Sequence, residues 1–248
     1  KIFLDKVAAV GQFNQEQIRF KSFKIENKGV RADGSNLRIK IQDKVTLSGL
    51  AHIEELNLHE LFKTVGVGTI PVFWQVTSEM PCEGELYPQF LLTCHPKLNG
   101  KNLDIRGSMT DTKSIAKVLD VSAQGDVTIT PTEVSYSGQV QMPLSHGTSK
   151  GTINIEKGFD VSFAADHFDF KDIQDLAQLK IEGRGSLQGT VSGDSHAAIF
   201  DIALDGEDVW FENYGLGHFK SDLSYRSGIL KFANSNGNYK TSRYSAQL

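Results

Sequence analysis

The sequence predicts an all-β fold: a curled sheet of mainly antiparallel, meandering strands interrupted by short helical turns. Three observations point to it. Val, Ile, Leu, Phe and Tyr alternate with Ser, Thr, Lys, Asp and Gln in many short runs, the period of a half-buried strand. Glycine outnumbers proline, 23 to 6 in 248 residues, so bends are available and ladder-breaking positions are few. Three stretches align on mostly apolar i, i+3, i+6 positions that end at a glycine: Leu58, Leu61, Thr64 and Gly68; Ile115, Val118, Val121 and Gly125; Ile173, Leu176, Leu179 and Gly183. Their first anchors and their glycines lie 57 and then 58 residues apart, a period expected of stacked units that share one apolar face.

The elements follow in order. Asp5 to Ile18 is compatible with a short helix, whereas Gln17 to Lys28 reads as a strand with Ile18, Phe20, Phe23 and Ile25 turned inward. Leu37, Ile39 and Ile41 share a face opposite Arg38 and Lys40. After a turn at Gln42-Asp43-Lys44, Val45, Leu47, Gly49 and Ala51 return, so the pair is a half-buried hairpin. Between Glu54 and Phe62 the period becomes helical. Strand signals resume at Ile70, Val72, Trp74 and Val76 and again at Leu103 and Ile105, and Thr112 to Val121 reads as a second helical turn. Val127, Ile129, Val134, Tyr136 and Val140 then alternate with Thr128, Ser135, Ser137 and Gln139, which leaves one face wet.

The last third is the most regular. Phe159, Val161 and Phe163 alternate, Phe168 and Phe170 lead into a turn at Asp172 to Gln178, and glycines follow at 183, 185, 189 and 193 around Leu187 and Val191. Such glycines either bend strands or mark a close backbone approach. Ala198, Phe200, Ile202 and Leu204 form an apolar stripe, and Val209, Phe211, Phe219, Leu223, Tyr225, Leu230, Phe232 and Tyr239 extend it as a meander punctuated by Gly206, Gly215, Gly228 and Gly237. The expected organisation is one repetitive unit over residues 1–248, with an insertion or hairpin at 69–101. The chain begins at Lys1 without methionine and stops in strand-like sequence, so both ends read as cut from a longer polypeptide that would carry any membrane anchor. No run approaches the roughly 18 apolar residues that span a bilayer.

Composition narrows the function. A net charge of −4, from 26 basic and 30 acidic residues interspersed, offers no field for a phosphate backbone, so nucleic acid is not an expected partner. Ser145-His146 and Asp166-His167 are chain neighbours whose side chains diverge on a strand, and the glycine-rich 183–193 segment lacks a P-loop lysine. The seven histidines lack metal-ligand spacing, and Asp201, Asp205, Glu207 and Asp208 read as a solvated turn. The sequence therefore predicts no catalytic residue, no metal and no cofactor. Cys82 and Cys94 either close a hairpin as a disulfide or are two buried thiols. The apolar face itself has two readings, the core of a closed structural or adhesive β-sandwich, with Trp74 or Trp210 near a sugar site, or the lining of an open groove.

The block Phe168-Asp169-Phe170-Lys171-Asp172-Ile173-Gln174-Asp175-Leu176, with Leu179 to Gly193 after it, resembles the repeats of AsmA-like proteins of the TamB type. Val209-Trp210-Phe211, Tyr214-Gly215-Leu216-Gly217 and Gly228-Ile229-Leu230-Lys231-Phe232 are similar in rhythm, and Asn57 to Gly68 and Thr112 to Gly125 are weaker echoes. Gly66 to Lys101, with Trp74, Pro81, Pro88 and the cysteines, departs from the pattern. The resemblance implies a taco-shaped β-groove with an open hydrophobic interior, part of a periplasmic bridge anchored in the inner membrane. It also implies phospholipid transport between the inner and outer membranes as the function, with an outer-membrane barrel as partner; binding and chaperoning of outer-membrane β-barrel proteins is the alternative. The expected lining begins with Leu37, Ile39, Ile41, Val45 and Leu47. It continues with Phe159, Val161, Phe163, Leu187 and Val191, and ends with Ala198, Phe200, Ile202, Leu204, Phe211, Leu230 and Phe232. Each inward direction rests on alternation, and a one-residue slip would reverse a strand.

Overall fold

The computed structural model describes residues 5–27, 30–60, 71–154, 156–176, 180–194 and 197–246. Alternation becomes strand throughout. The first half comprises β1 (Lys6–Phe13), β2 (Gln17–Asn27), β3 (Val30–Ile41), β4 (Val45–Asn57), β5 (Val72–Tyr87), β6 (Leu91–Cys94), β7 (Lys97–Arg106) and β8 (Ser114–Ile129). After β9 (Glu133–Gln141), β10 (His146–Asn154) and β11 (Gly158–Asp169), a single 3₁₀ turn at Phe170–Asp172 leads to β12 (Ile173–Leu176). The chain ends with β13 (Ile181–Gly193), β14 (Ala198–Phe211), β15 (Tyr214–Arg226), β16 (Ile229–Tyr239) and β17 (Ser242–Ala246). All 17 strands among the described residues belong to one hydrogen-bonded sheet.

Short connections make sequential strands antiparallel neighbours. Two departures matter. β6 and β7 act as one strand broken at His95-Pro96: Cys82 to Glu85 of β5 pair with β6, and Val72 to Glu79 pair with β7. Within the described part of 69–101, β5 and β6 pair as an antiparallel hairpin that belongs to the common sheet. The second departure is β12, which pairs with β8 while β11 pairs directly with β13.

Several local expectations are corrected. Asp5 to Ile18 contributes strand β1 and the start of β2, not a helix. Thr112 to Val121 is not a helical turn, since Ser114 onward is β8, yet Ile115, Val118 and Val121 are all buried. The reason is irregular pairing: Ile115 is skipped where the register with β7 shifts, and neither Leu119 nor Asn102, at φ 54°, pairs in that ladder, so strict alternation is interrupted between the buried residues. Asp172 to Gln178 begins at the end of the 3₁₀ turn, but Ile173 to Leu176 is strand, so the second and third aligned stretches are paired neighbours, Ile173 opposite Val118. A helical turn does start at Leu58. Leu61, Phe62, Thr64, Gly68, Ile70 and Leu179 lie outside the described residues.

Directly opposed residues project to one face, so register can be followed across the sheet. Ile39, Leu47, Gly84, Leu92, Ile129, Val134, Ile153 and Phe159 oppose one another in turn from β3 to β11. The neighbouring row runs from Cys82 and Cys94 through Val127, Tyr136, Gly151, Val161, Val191 and Phe200 to Tyr225 and Leu230. This apolar face turns back on itself through β8. The second half of β8 pairs with β9; the first half has β12 as its neighbour and brings Ile115 into a buried cluster with Phe159, Ala198 and Phe200.

A polar lock holds the turn that supplies β12. The Leu144 amide donates to both oxygens of the buried Asp172 carboxylate, at 3.2 and 3.0 Å, and the Asp169 amide donates to the fully buried Ser145 hydroxyl at 2.9 Å. Burial is tolerated because these groups are bonded. At Gly183 in β13, φ is +125° and an added Cβ would lie 2.9 Å from Val209 Cα, so only glycine lets the two strands approach here.

Candidate functional site

Between β8, β12 and the 3₁₀ turn on one side and β13 to β17 on the other lies a cavity of about 360 Å³. β14 forms its long wall. Phe200, Ile202 and Leu204 alternate toward it, an irregularity at 206–209 with Asp208 at φ 51° resets the phase, and Val209 and Phe211 continue it. From Phe200 to Phe211 the wall extends on the order of 30 Å at strand rise. The small volume and long wall make a narrow slot that suits an extended chain better than a bulky ring system.

Among the described residues, no charged side chain lines the slot. Phe168 and Phe170 meet edge to face at 5.2 Å, Phe200 and Tyr225 at 5.9 Å, and Phe211 and Phe232 at 6.3 Å, arrangements favoured by the ring quadrupoles. Its polar atoms are mostly accounted for locally. The Tyr244 hydroxyl donates to the Leu216 carbonyl at 2.6 Å, and the hydroxyls of Ser235 and buried Ser221 share a hydrogen bond of 2.8 Å. Burial raises the Tyr244 pKa, and burial followed by the charge of Asp111 raises that of Tyr225, so both phenols stay neutral at physiological pH.

The expected lining residues separate into three places on this face. Leu187, Phe200, Ile202, Leu204, Phe211, Leu230 and Phe232 line the slot. Phe159, Val161, Val191 and Ala198 pack around Phe200 and Ile115 beside it, and Phe163 lies over Gly189, 3.0 Å from an added Cβ. Leu37, Ile39, Ile41, Val45 and Leu47 lie on β3 and β4, away from the slot; four are half-buried and Ile41 is 41% exposed. Alternation did not single out Ile115, Ile173 or Ile181 as lining, because the first two carried a helical reading and the third stands alone before the glycines. Phe168, Phe170, Val209, Phe219, Leu223 and Tyr225 also line the slot; their apolar rhythm was the available signal.

Cys82 and Cys94 are directly opposed and joined as a disulfide, with Cys94 fully buried on the apolar face. The adjacent Ser-His and Asp-His pairs form no relay. Ser145 is bonded to backbone, and His146 instead stacks on His167 with ring centroids 5.6 Å apart. Among the described residues no three His, Cys, Asp or Glu side chains converge in a metal-binding arrangement, and no helix is long and apolar enough to cross a membrane. No protein-family model matches the chain, and neither a curated protein nor a solved structure is significantly similar to it.

Proposed function

We propose that the chain is a segment of an AsmA-like, TamB-type envelope protein whose apolar face forms a taco-like groove holding lipid acyl chains during phospholipid transport between inner and outer membranes. The observation that carries this reading is the slot, long, narrow and without a charged side chain among the described residues that line it. An acyl chain gains about 0.8 kcal/mol for each methylene it buries, and that gain has no preferred direction along an apolar wall. A chain can therefore be held firmly and still slide, and no catalytic residue, metal or cofactor is required. The disulfide accords with an oxidising compartment such as the periplasm.

The test is mass spectrometry of organic extracts from protein purified without detergent. Phospholipid recovered in defined proportion to protein is the expected result; lipid-free protein from a lipid-replete host overturns the reading. A second reading, binding of unfolded outer-membrane strands, has its own support in β1, where Val7, Val10 and Phe13 are 56%, 65% and 86% exposed. Crosslinking from these positions to an unfolded barrel protein, without lipid recovery, would favour it.

A further inference from the structure

One end of the slot adjoins a polar pocket of about 620 Å³, and the two share Ile115 and Tyr225 as walls. The pocket is bounded by the turns that follow β7 and β15 and by Ala197, just before β14. Among the described residues, Ser108, Thr112, Ser114 and Ser227 line it together with one charged side chain of each sign, Lys113 and Asp111. Neither charged group has an ion-pair partner among the described residues.

The pocket is built in advance. Arg106 donates from Nε and Nη2 to Asp104 at 2.9 and 2.8 Å, stacks on Phe73, and donates from Nη1 to the Asp111 carbonyl at 3.2 Å, so the turn backbone is fixed. Gly107 leaves room where two polar groups converge: an added Cβ would lie 2.5 Å from the Tyr225 hydroxyl and 2.8 Å from Asp111 Oδ2. An apolar slot opening onto a polar pocket with paired charges is complementary to an amphiphile whose head carries both charges.

We propose that this pocket receives the head group of a zwitterionic phospholipid, with the phosphate at Lys113, the ammonium at Asp111, and one acyl tail passing between Ile115 and Tyr225 into the slot. The assignment rests on reading the slot as an acyl-chain site and adds a choice of lipid. Hydroxyls around Lys113 donate to phosphate oxygens, and the neutral Tyr225 phenol adds a donor without adding charge.

The test uses single-tailed probes below their micellar concentration: lysophosphatidylethanolamine, lysophosphatidylglycerol and a plain fatty acid, with soluble phosphorylethanolamine as the tail-free arm. Calorimetric titration of the intact chain should show the zwitterionic lysolipid binding about tenfold more tightly than the other two, as one additional charge-assisted contact provides. Asp111→Asn should remove the advantage over lysophosphatidylglycerol, and Lys113→Gln should weaken both lysophospholipids together, while the melting temperature holds in each. Equal affinities in the wild type, or a preference that survives both substitutions, overturn the head-group assignment and leave the slot reading standing. Binding of phosphorylethanolamine as tightly as the lysolipid also overturns it, since the pocket would then serve a soluble ligand. If no tailed probe binds, the slot reading itself falls.

Discussion

The Ala198 amide donates to the Gly107 carbonyl at 3.0 Å, tying the first residue of β14 to the turn after β7. These residues belong to distant parts of the strand order, and the bond exists because Ile115 carries β8 to the cluster of Phe159, Ala198 and Phe200. Ile115→Ala should cost about 2–5 kcal/mol, the usual range for emptying a buried aliphatic site. Hydrogen exchange should show the Ala198 amide losing protection in that variant while amides of β3 and β4 keep theirs. A uniform loss across the chain would mean that Ile115 supports the whole sheet and is no local latch.

The disulfide joins residues 12 apart in sequence. Closing a loop of that size removes about 3 kcal/mol of unfolded-state entropy in the chain-entropy model. Reduction should lower the urea-unfolding free energy by about that amount, and the Cys82→Ser/Cys94→Ala double variant should match the reduced wild type and be insensitive to reductant. A further response of the double variant to reductant would show that the cysteines do not account for the effect.

These two features also show what sequence can and cannot reveal. Phe159, Val161 and Phe163, and Ala198 through Leu204, disclosed their face because those stretches run without an irregularity, so period two maps directly onto one side. Ile115, Val118 and Val121 did not, because a three-residue spacing arises equally from a helix and from a strand with unpaired residues. Pairing partners of β12 decide between them, and these lie about 55 to 60 residues away in sequence. The slot was half legible for the same reason. β14 supplied its wall in alternating sequence, whereas Ile115 and Ile173 enter through a turning back of the sheet that leaves no periodic trace. Alternation likewise cannot tell the Leu37 to Leu47 patch from the slot, since both are apolar on the same face.

On the opposite face, Asp205 bonds Lys220 at 2.6 Å and His218 at 2.9 Å. Its carboxyl is held below the ordinary aspartate range chiefly by the Lys220 hydrogen bond, opposed by desolvation and helped further by His218. A depressed folded-state pKa gives stability that is present above the unfolded aspartate value and lost as pH falls through the folded one. The group is 44% exposed, so screening limits the contribution to less than about 1 kcal/mol. Asp205→Asn should show that small deficit near neutral pH, shrinking with added salt, and none in acid below both pKa values. A deficit that persisted in acid would assign the effect to packing.

Ile229 and Leu230 separate the two faces most sharply, because they are chain neighbours with opposite surroundings. Ile229 is 58% exposed, whereas Leu230 is half-buried in the slot lining and directly opposite Tyr225. Arginine at position 229 extends into water and should change neither stability nor lipid recovery measurably. Arginine at 230 places a cation against the slot wall, where it must either lose hydration or turn outward and draw solvent in behind it, and both block an acyl chain. Leu230→Arg should therefore reduce co-purifying lipid at least tenfold, the factor that corresponds to about 1.4 kcal/mol, while the protein still shows a cooperative melt. Loss of lipid in Ile229→Arg and retention in Leu230→Arg would reverse the face assigned to β16, and with it the slot. Equal retention in both would place the lipid elsewhere on the sheet.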